Sequence, residues 1–237
     1  MSQHSFTYGQ NTIRFVLEQK PRKSFKISVM PDLSVGVSAP QNVSVEKVLL
    51  RVQKKAPWIV RQIEYFKSFM PKEPPKQFIS GETHCYYGRQ YRLKVIQSKR
   101  QVVRLKGKYI FVYSLCPDNR QQTKRLLYDW YWARARKMFE SITKRSHGRI
   151  EKYGINLPAL NVKTMKSRWG SCLHTKGRIG LNTELIKAPS HCIEYVIMHE
   201  MCHLKYPNHT KHFYKFLTLV MPDWVDRKER LEKVGLQ

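Results

Sequence analysis

The chain has 237 residues and 41% hydrophobic residues, which suits one large or two small globular domains and argues against wholesale disorder. Its apolar runs are far shorter than a membrane span, and residues 1–10 lack the pattern of a secretory signal, so we expect a cytoplasmic protein. The five cysteines form no CxxC pair, which favours reduced thiols over a disulfide framework.

The charge is strongly positive, with 44 Lys and Arg residues against 17 Asp and Glu residues and a net charge of +27. Such a surface attracts polyanions, so nucleic acid, nucleotides and anionic membranes are candidate partners. The segment 83–117 holds eight of the basic residues and no acid. We interpret it as the solvated face of a hairpin, with a nucleic-acid contact as the alternative.

The first half of the chain reads mainly as strands. Alternating apolar and polar residues predict strands over 12–17, 24–30 and 33–39. Apolar residues three and four apart then predict helical structure over 45–66, which Pro57 divides into two short helices or kinks. Three prolines form a stiff connector after it, and further strands follow. The prolines are Pro71, Pro74 and Pro75, and the strands are 91–96, 102–105 and 109–113.

The second half is mainly helical. Its predicted elements are a long helix over 120–152, strands over 162–167 and 178–182, and helices over 190–206, over 209–220 and from about 222. The fold class is therefore α+β. We place the boundary between a β-rich N-terminal region with helices, residues 1–118, and a second domain, residues 119–237.

One helix carries an HExxH motif, His199-Glu200-Met201-Cys202-His203. Residues four apart lie on the same face of a helix, so two imidazoles can reach one metal ion while Glu200 approaches its water. A catalytic zinc site needs three protein ligands and an open position. The motif therefore predicts a single Zn²⁺ and a water-activating carboxylate.

His209 is the best candidate for the third ligand. It follows the helix-breaking Pro207-Asn208 pair, and its spacing equals that of HExxHxxGxxH. Tyr206 stands where that pattern has glycine, so the turn must be built differently. His212 is a weaker candidate, and Asp223 or Glu229 would serve if the third ligand were a carboxylate.

The expected reaction is hydrolysis by metal-activated water, with Glu200 as general base. A further donor is needed to stabilise the developing negative charge. Spacing alone leaves Arg168, Tyr195 and His212 as the candidates for this donor.

Several segments resemble the YgjP-like metal-dependent hydrolases, which are zincin-like proteins related in their site to the SprT-like proteases. The resemblance covers most of the chain and is most specific in its C-terminal part. The residues that carry it are 168–172 (RWGSC), 180–182 (GLN), 195–204 (YVIMHEMCHL), 208–209 (NH), Phe213 and 221–224 (MPDW), with weaker similarity at 35–40, 58–59, 81–82, Tyr86, 88–89 and Tyr91.

This resemblance implies a zincin-like metallopeptidase domain that follows the N-terminal region and contains the HExxH helix. It implies a zinc site at His199, His203 and His209 with Glu200 catalytic, and it places 169–172 near the cleft. Edge strands beside zincin active sites bind peptide by main-chain pairing, so Trp169 and Ser171 are candidate substrate residues, together with Arg168 and Tyr195.

Three functions are compatible with these features. The first is a metallopeptidase that acts on peptides or proteins. The second is a metal-dependent nucleoside triphosphate pyrophosphatase or phosphohydrolase, an activity also associated with the family. The third is a nucleic-acid-binding module with a structural zinc, for which a fourth ligand such as His212 or Cys172 would close the site.

Overall fold

The computed structural model describes residues 2–22, 24–30, 32–67, 75–166 and 168–234. The chain forms two compact units, Met1–Pro74 and Pro75–Gln237. Two of the three connector prolines, Pro71 and Pro74, lie outside the described residues.

The first unit consists of a four-stranded sheet and two helices. Its elements are β1 (Ser2–Tyr8), β2 (Asn11–Lys20), β3 (Lys26–Val29), β4 (Val35–Pro40), α1 (Val45–Lys54) and α2 (Ala56–Lys67). The strand order is β1-β2-β4-β3, with β2 and β4 parallel and the other pairs antiparallel. The sequence left open whether Pro57 divides this region into two short helices or kinks a single one. The structure has two short helices that meet at Lys55.

The core of the first unit follows from the period-two pattern of its central strands. Inward-facing residues of β2 and β4 pack against one stripe of α1 and the start of α2. These buried residues are Ile13, Phe15, Leu17, Val35, Val37, Ala39, Val48, Val52, Ala56 and Ile59.

The second unit begins with another four-stranded sheet and a long helix. The elements are β5 (Thr83–Tyr86), β6 (Arg89–Gln97), β7 (Val102–Lys106), β8 (Tyr109–Ser114) and α3 (Arg120–His147). The strand order is β5-β6-β8-β7, and β6 and β8 are parallel. Asn119 caps α3 by accepting a hydrogen bond from the Gln122 amide at 3.0 Å, which satisfies a free amide of the first turn.

The boundary expected between residues 118 and 119 falls inside this second unit. Leu93 of β6 and Ile110 of β8 are fully buried in the same core as Leu127 of α3. A sheet that buries one face on a helix cannot be separated from it without exposing that face. The sheet of β5–β8 therefore belongs with the helices that follow it.

A three-stranded sheet and three further helices complete the second unit. They are β9 (Ala159–Lys163), β10 (Gly170–Leu173), β11 (Arg178–Asn182), α4 (Ser190–Cys202), α5 (Lys211–Val220) and α6 (Trp224–Val234). The sheet order is β10-β11-β9, so β10 lies at an edge. The α+β class is confirmed, with six α-helices among the described residues, none of them long and apolar enough to cross a bilayer.

Candidate metal centre and catalytic cleft

Helix α4 places two of the candidate ligands side by side. Most of its residues are buried in the core, among them Ile193, Met198 and Cys202, which point in different directions around the helix. His199 and His203 lie on the remaining, partly exposed side, one turn apart, with ring centroids 4.9 Å from each other. The i, i+4 spacing read from the sequence therefore gives the expected juxtaposition.

The chain turns back immediately after α4 and brings His209 to the same place. The Cys202 carbonyl accepts hydrogen bonds from the amides of Lys205, at 3.1 Å, and Tyr206, at 2.9 Å, which closes the helix end. The Tyr206 carbonyl in turn accepts a hydrogen bond from His203 Nδ1 at 3.0 Å. Tyr206, in place of the glycine of HExxHxxGxxH, thus builds the turn and also holds a ligand.

The three imidazoles converge closely enough to bind one ion. One nitrogen from each of His199, His203 and His209 lies within 4.8 Å of the other two. The Nε2 atoms of His199 and His209 are 2.9 Å apart. Tetrahedral ligands about 2.0–2.1 Å from zinc are roughly 3.3 Å apart, so small adjustments would admit the ion. Because His203 Nδ1 donates to Tyr206, its Nε2 carries the free lone pair.

Phe213 of α5 packs against all three imidazoles. Its fully buried ring has centroid distances of 5.0 Å to His199, 4.5 Å to His203 and 4.8 Å to His209. Burial, together with the charges of the neighbouring histidines, lowers the pKa of His199 to about 3. Burial also lowers the pKa of His209. Neutral imidazole is the form that binds metals, so this apolar support favours the ligand form.

Glu200 is buried between α4 and strand β10. Glu200 is only 7% exposed. Burial raises the pKa of its carboxyl, Arg168 lowers it by a smaller amount, and the resulting pKa is about 7. A Cβ atom built on Gly170 would lie 2.6 Å from Glu200 Oε1 and 2.7 Å from its Cγ. Only glycine lets the carboxylate come this close to the strand.

The imidazoles and the carboxylate line a common cleft of about 330 Å³. Its other walls come from the segment around β10 and from the turn after α4. The remaining lining residues are Arg168, Gly170, Ser171, Cys172, His174, Pro207 and Asn208. The cleft thus combines three convergent nitrogen ligands, a buried carboxylate and a guanidinium, which is the chemistry of a metal-assisted hydrolase.

The sequence matches the YgjP-like metallopeptidase domain over residues 23–234. The chain belongs to this family. Membership makes it a metal-dependent hydrolase of the metallopeptidase type. No curated protein matches the sequence. One similar solved structure is the metallopeptidase zymogen jannalysin of Methanocaldococcus jannaschii, with 18% identity and a TM-score of 0.36 over 41% of this chain and 90% of that one.

In this YgjP-like chain the four expected substrate residues fall into two pairs. Arg168 and Ser171 line the cleft. Trp169 instead packs against the core, and its carbonyl accepts a hydrogen bond from the Asn182 amide at 2.8 Å. Tyr195 is buried one turn before His199, with its ring 5.7 Å from that imidazole and stacked 6.5 Å from Trp224.

The alternative ligands lie in other environments. His212 is exposed and stacks on Tyr206 at 6.5 Å, and Asp223 pairs with Arg227 at 2.8 Å. Glu229 is exposed on α6. Cys172 lines the cleft, where burial and the nearby Glu200 raise the pKa of its thiol to about 11. Among the described residues, the group able to hold a metal consists of the three histidines.

Two supporting residues were not predicted as part of the site. Asn182, fully buried at the end of β11, donates from Nδ2 to the carbonyls of Met165, at 2.9 Å, and Arg168, at 3.0 Å. It therefore fixes the loop that presents Arg168. His174 lines the cleft from a short 3-10 helix after β10. Neither carries a local sequence signal, because both act through contacts distant along the chain.

Proposed function

We propose that this chain is a zinc-dependent peptidase in which His199, His203 and His209 hold one Zn²⁺ and Glu200 is the general base. The observation that carries the proposal is the convergence of three imidazole nitrogens within 4.8 Å in the cleft that Glu200 lines. Three neutral nitrogen ligands in a compact group suit zinc, and they leave a coordination position open. A Zn²⁺ ion there would supply Lewis acidity, which lowers the pKa of water and polarises a carbonyl.

Glu200 has the properties that the proton transfers require. A carboxyl with its pKa raised to about 7 can accept a proton from the attacking water and then donate it to the leaving amine. Its burial between α4 and β10 limits the number of positions that the carboxylate can take. Arg168 lines the same cleft and lowers the pKa of Glu200, so its guanidinium is our candidate donor to the developing oxyanion.

Strand β10 offers a surface for a peptide substrate. It pairs with β11 on one side and lies at the edge of its sheet, with Ser171 and Cys172 in the cleft. An extended peptide can add to such an edge through main-chain hydrogen bonds, which would carry a scissile bond past Glu200.

The test compares zinc-loaded wild type with Glu200→Gln on one panel of peptides, denatured proteins and nucleoside triphosphates. Glutamine keeps the shape of the side chain but cannot accept the proton, so we expect unchanged zinc content and turnover lower by about 10²- to 10⁴-fold. Equal turnover in the variant would remove Glu200 as the base. His212→Gln is the matched control, because this exposed histidine lies outside the cluster.

The second candidate function is nucleotide hydrolysis, which is favoured by Arg168 in the cleft and by the net charge of +27. The same panel distinguishes this function from peptide hydrolysis. Release of phosphate or pyrophosphate by wild type but not by Glu200→Gln, without peptide cleavage, would replace the peptidase proposal. For the ligands, His209→Ala should lose bound zinc while His212→Ala retains it. Normal zinc content in His209→Ala would place the third ligand elsewhere.

A further inference from the structure

The sheet of β5–β8 has one face in the core and one face in solvent. Leu93, Ile110 and Val112 point inward and are fully buried. Because side chains alternate along a strand, Tyr109, Phe111 and Tyr113 of β8 all point to the outer face, where they are partly exposed. Strand β8, one of the two central strands of this sheet, therefore presents a row of three aromatic rings.

The rings form a continuous row. Tyr109 and Phe111 have centroids 5.8 Å apart, and Phe111 and Tyr113 are 6.3 Å apart with nearly parallel planes, at 21°. Two further side chains extend the apolar surface beside Tyr113, Ile96 on β6 and Val102 on β7. Both are more than one-third exposed. The row thus provides a contiguous apolar surface rather than isolated hydrophobic side chains.

Basic residues border the aromatic row on both sides. Arg92 and Lys94 of β6 pair in register with Tyr109 and Phe111, and so do Lys106 and Arg104 of β7 on the other side. All four basic side chains are exposed. Lys94 Nζ lies 4.1 Å from the Tyr109 ring centroid and 5.9 Å from that of Phe111. No acid occurs between residues 83 and 117, so nothing in these strands neutralises this charge.

We propose that this face, the aromatic row with its four basic neighbours, binds single-stranded nucleic acid. Aromatic rings on a sheet stack unpaired bases, and Lys and Arg beside them contact the phosphates. A duplex hides the faces of its bases, so the rings would contribute nothing to duplex binding. An anionic membrane or an acidic peptide would use the charges but would leave the row of exposed aromatic rings without a function.

The test measures the binding of the full chain to fluorescently labelled oligothymidylate and oligouridylate and to a duplex of the same length, over a range of KCl concentrations. We expect both the single-stranded DNA and the single-stranded RNA to bind more tightly than the duplex. Phe111→Ala should weaken single-strand binding by about 5- to 100-fold through loss of one stacking partner, and Phe111→Tyr should preserve it. Tyr8→Ala, which removes an exposed aromatic side chain of the first unit, is the matched control.

A second variant tests the charges without removing buried surface. Lys94→Gln/Arg104→Gln should weaken binding and reduce the slope of log affinity against log salt by about 1.4, since each single-strand phosphate contact contributes roughly 0.7. Its control is Lys137→Gln/Lys144→Gln, which removes the same charge from exposed positions of α3.

Three results would overturn the proposal. The first is equal weakening by the two double variants, which would assign binding to net charge alone. The second is tighter binding to the duplex than to the single strands. The third is binding to anionic vesicles or to polyglutamate with none to oligonucleotides. Thermal unfolding of each variant confirms that it is folded before its affinity is compared.

Discussion

Gly170→Ala tests whether the position of Glu200 depends on strand β10. Gly170 lies within this strand and does not have a positive φ, so the backbone itself accepts alanine. The added Cβ, however, would lie 2.6–2.9 Å from the Oε1, Cγ and Cδ atoms of Glu200. Ordinary carbon contacts are about 3.5–4.0 Å, so the carboxylate would have to move by roughly 1 Å.

A displacement of that size has a large effect on catalysis and a small one on stability. Misplacing a reacting group by about 1 Å costs on the order of 10²-fold in rate, or about 2.7 kcal/mol in the activation free energy. Replacing glycine by alanine within a strand stabilises a protein by roughly 0.5–1 kcal/mol, which opposes the steric cost. We therefore expect kcat to fall about 100-fold, with the free energy of unfolding within about 1 kcal/mol of wild type.

The assay measures kcat on the substrate found with the Glu200→Gln panel, together with zinc content and denaturant unfolding. Zinc content should be unchanged, because the contacts of the new methyl group are with Glu200 and not with the histidines. Gly148→Ala is the matched control, since its nearest neighbour to an added Cβ is 3.7 Å away. A Gly170→Ala enzyme with kcat within threefold of wild type would refute the proposed positioning.

Three further predictions concern the support of the site. Phe213→Leu keeps an apolar side chain but removes the ring packed on the three imidazoles, so zinc affinity, measured by competition with a chelating dye, should fall about 10-fold. Unchanged affinity would show that the imidazoles do not need this ring to keep their positions. Asn182→Ala leaves the part-buried carbonyls of Met165 and Arg168 without these donors, so it should lower the free energy of unfolding by about 2–4 kcal/mol and also lower kcat. An effect on stability alone would separate this loop from catalysis. In the metal-free protein, folded Glu200 keeps its proton up to pH about 7, whereas the unfolded chain releases it near pH 4.5. Urea unfolding of wild type and Glu200→Gln should therefore show wild type losing up to about 3 kcal/mol of stability relative to the variant as the pH rises between these values. A pH-independent difference would contradict the raised pKa.

The local parts of the structure could be predicted from the sequence. The strand expected over 178–182 matches β11, and the Pro57 break separates α1 from α2. These features depend on alternation, helical period and proline geometry, which act over a few residues. The expected juxtaposition of the three histidines likewise depends on one helix and one turn.

The long-range parts could not be predicted. The strand expected over 162–167 instead spans Ala159–Lys163, because its register is set by parallel pairing with β11. The contact between Gly170 and Glu200 joins two elements that are distant in sequence, and nothing around either residue indicates it. The boundary placed at residue 118 failed for the same reason, since only packing shows that β5–β8 and α3 share one core.

The three candidate ligands are all contained in the segment 199–209. The entropy needed to close a loop grows only with the logarithm of its length, so bringing these side chains together requires little ordering of the rest of the chain. Placing Glu200 against Gly170 requires the whole second unit to be assembled. Under the proposed function, metal binding can therefore precede complete folding, and a chain damaged elsewhere would keep the proposed ion while losing the geometry needed for hydrolysis.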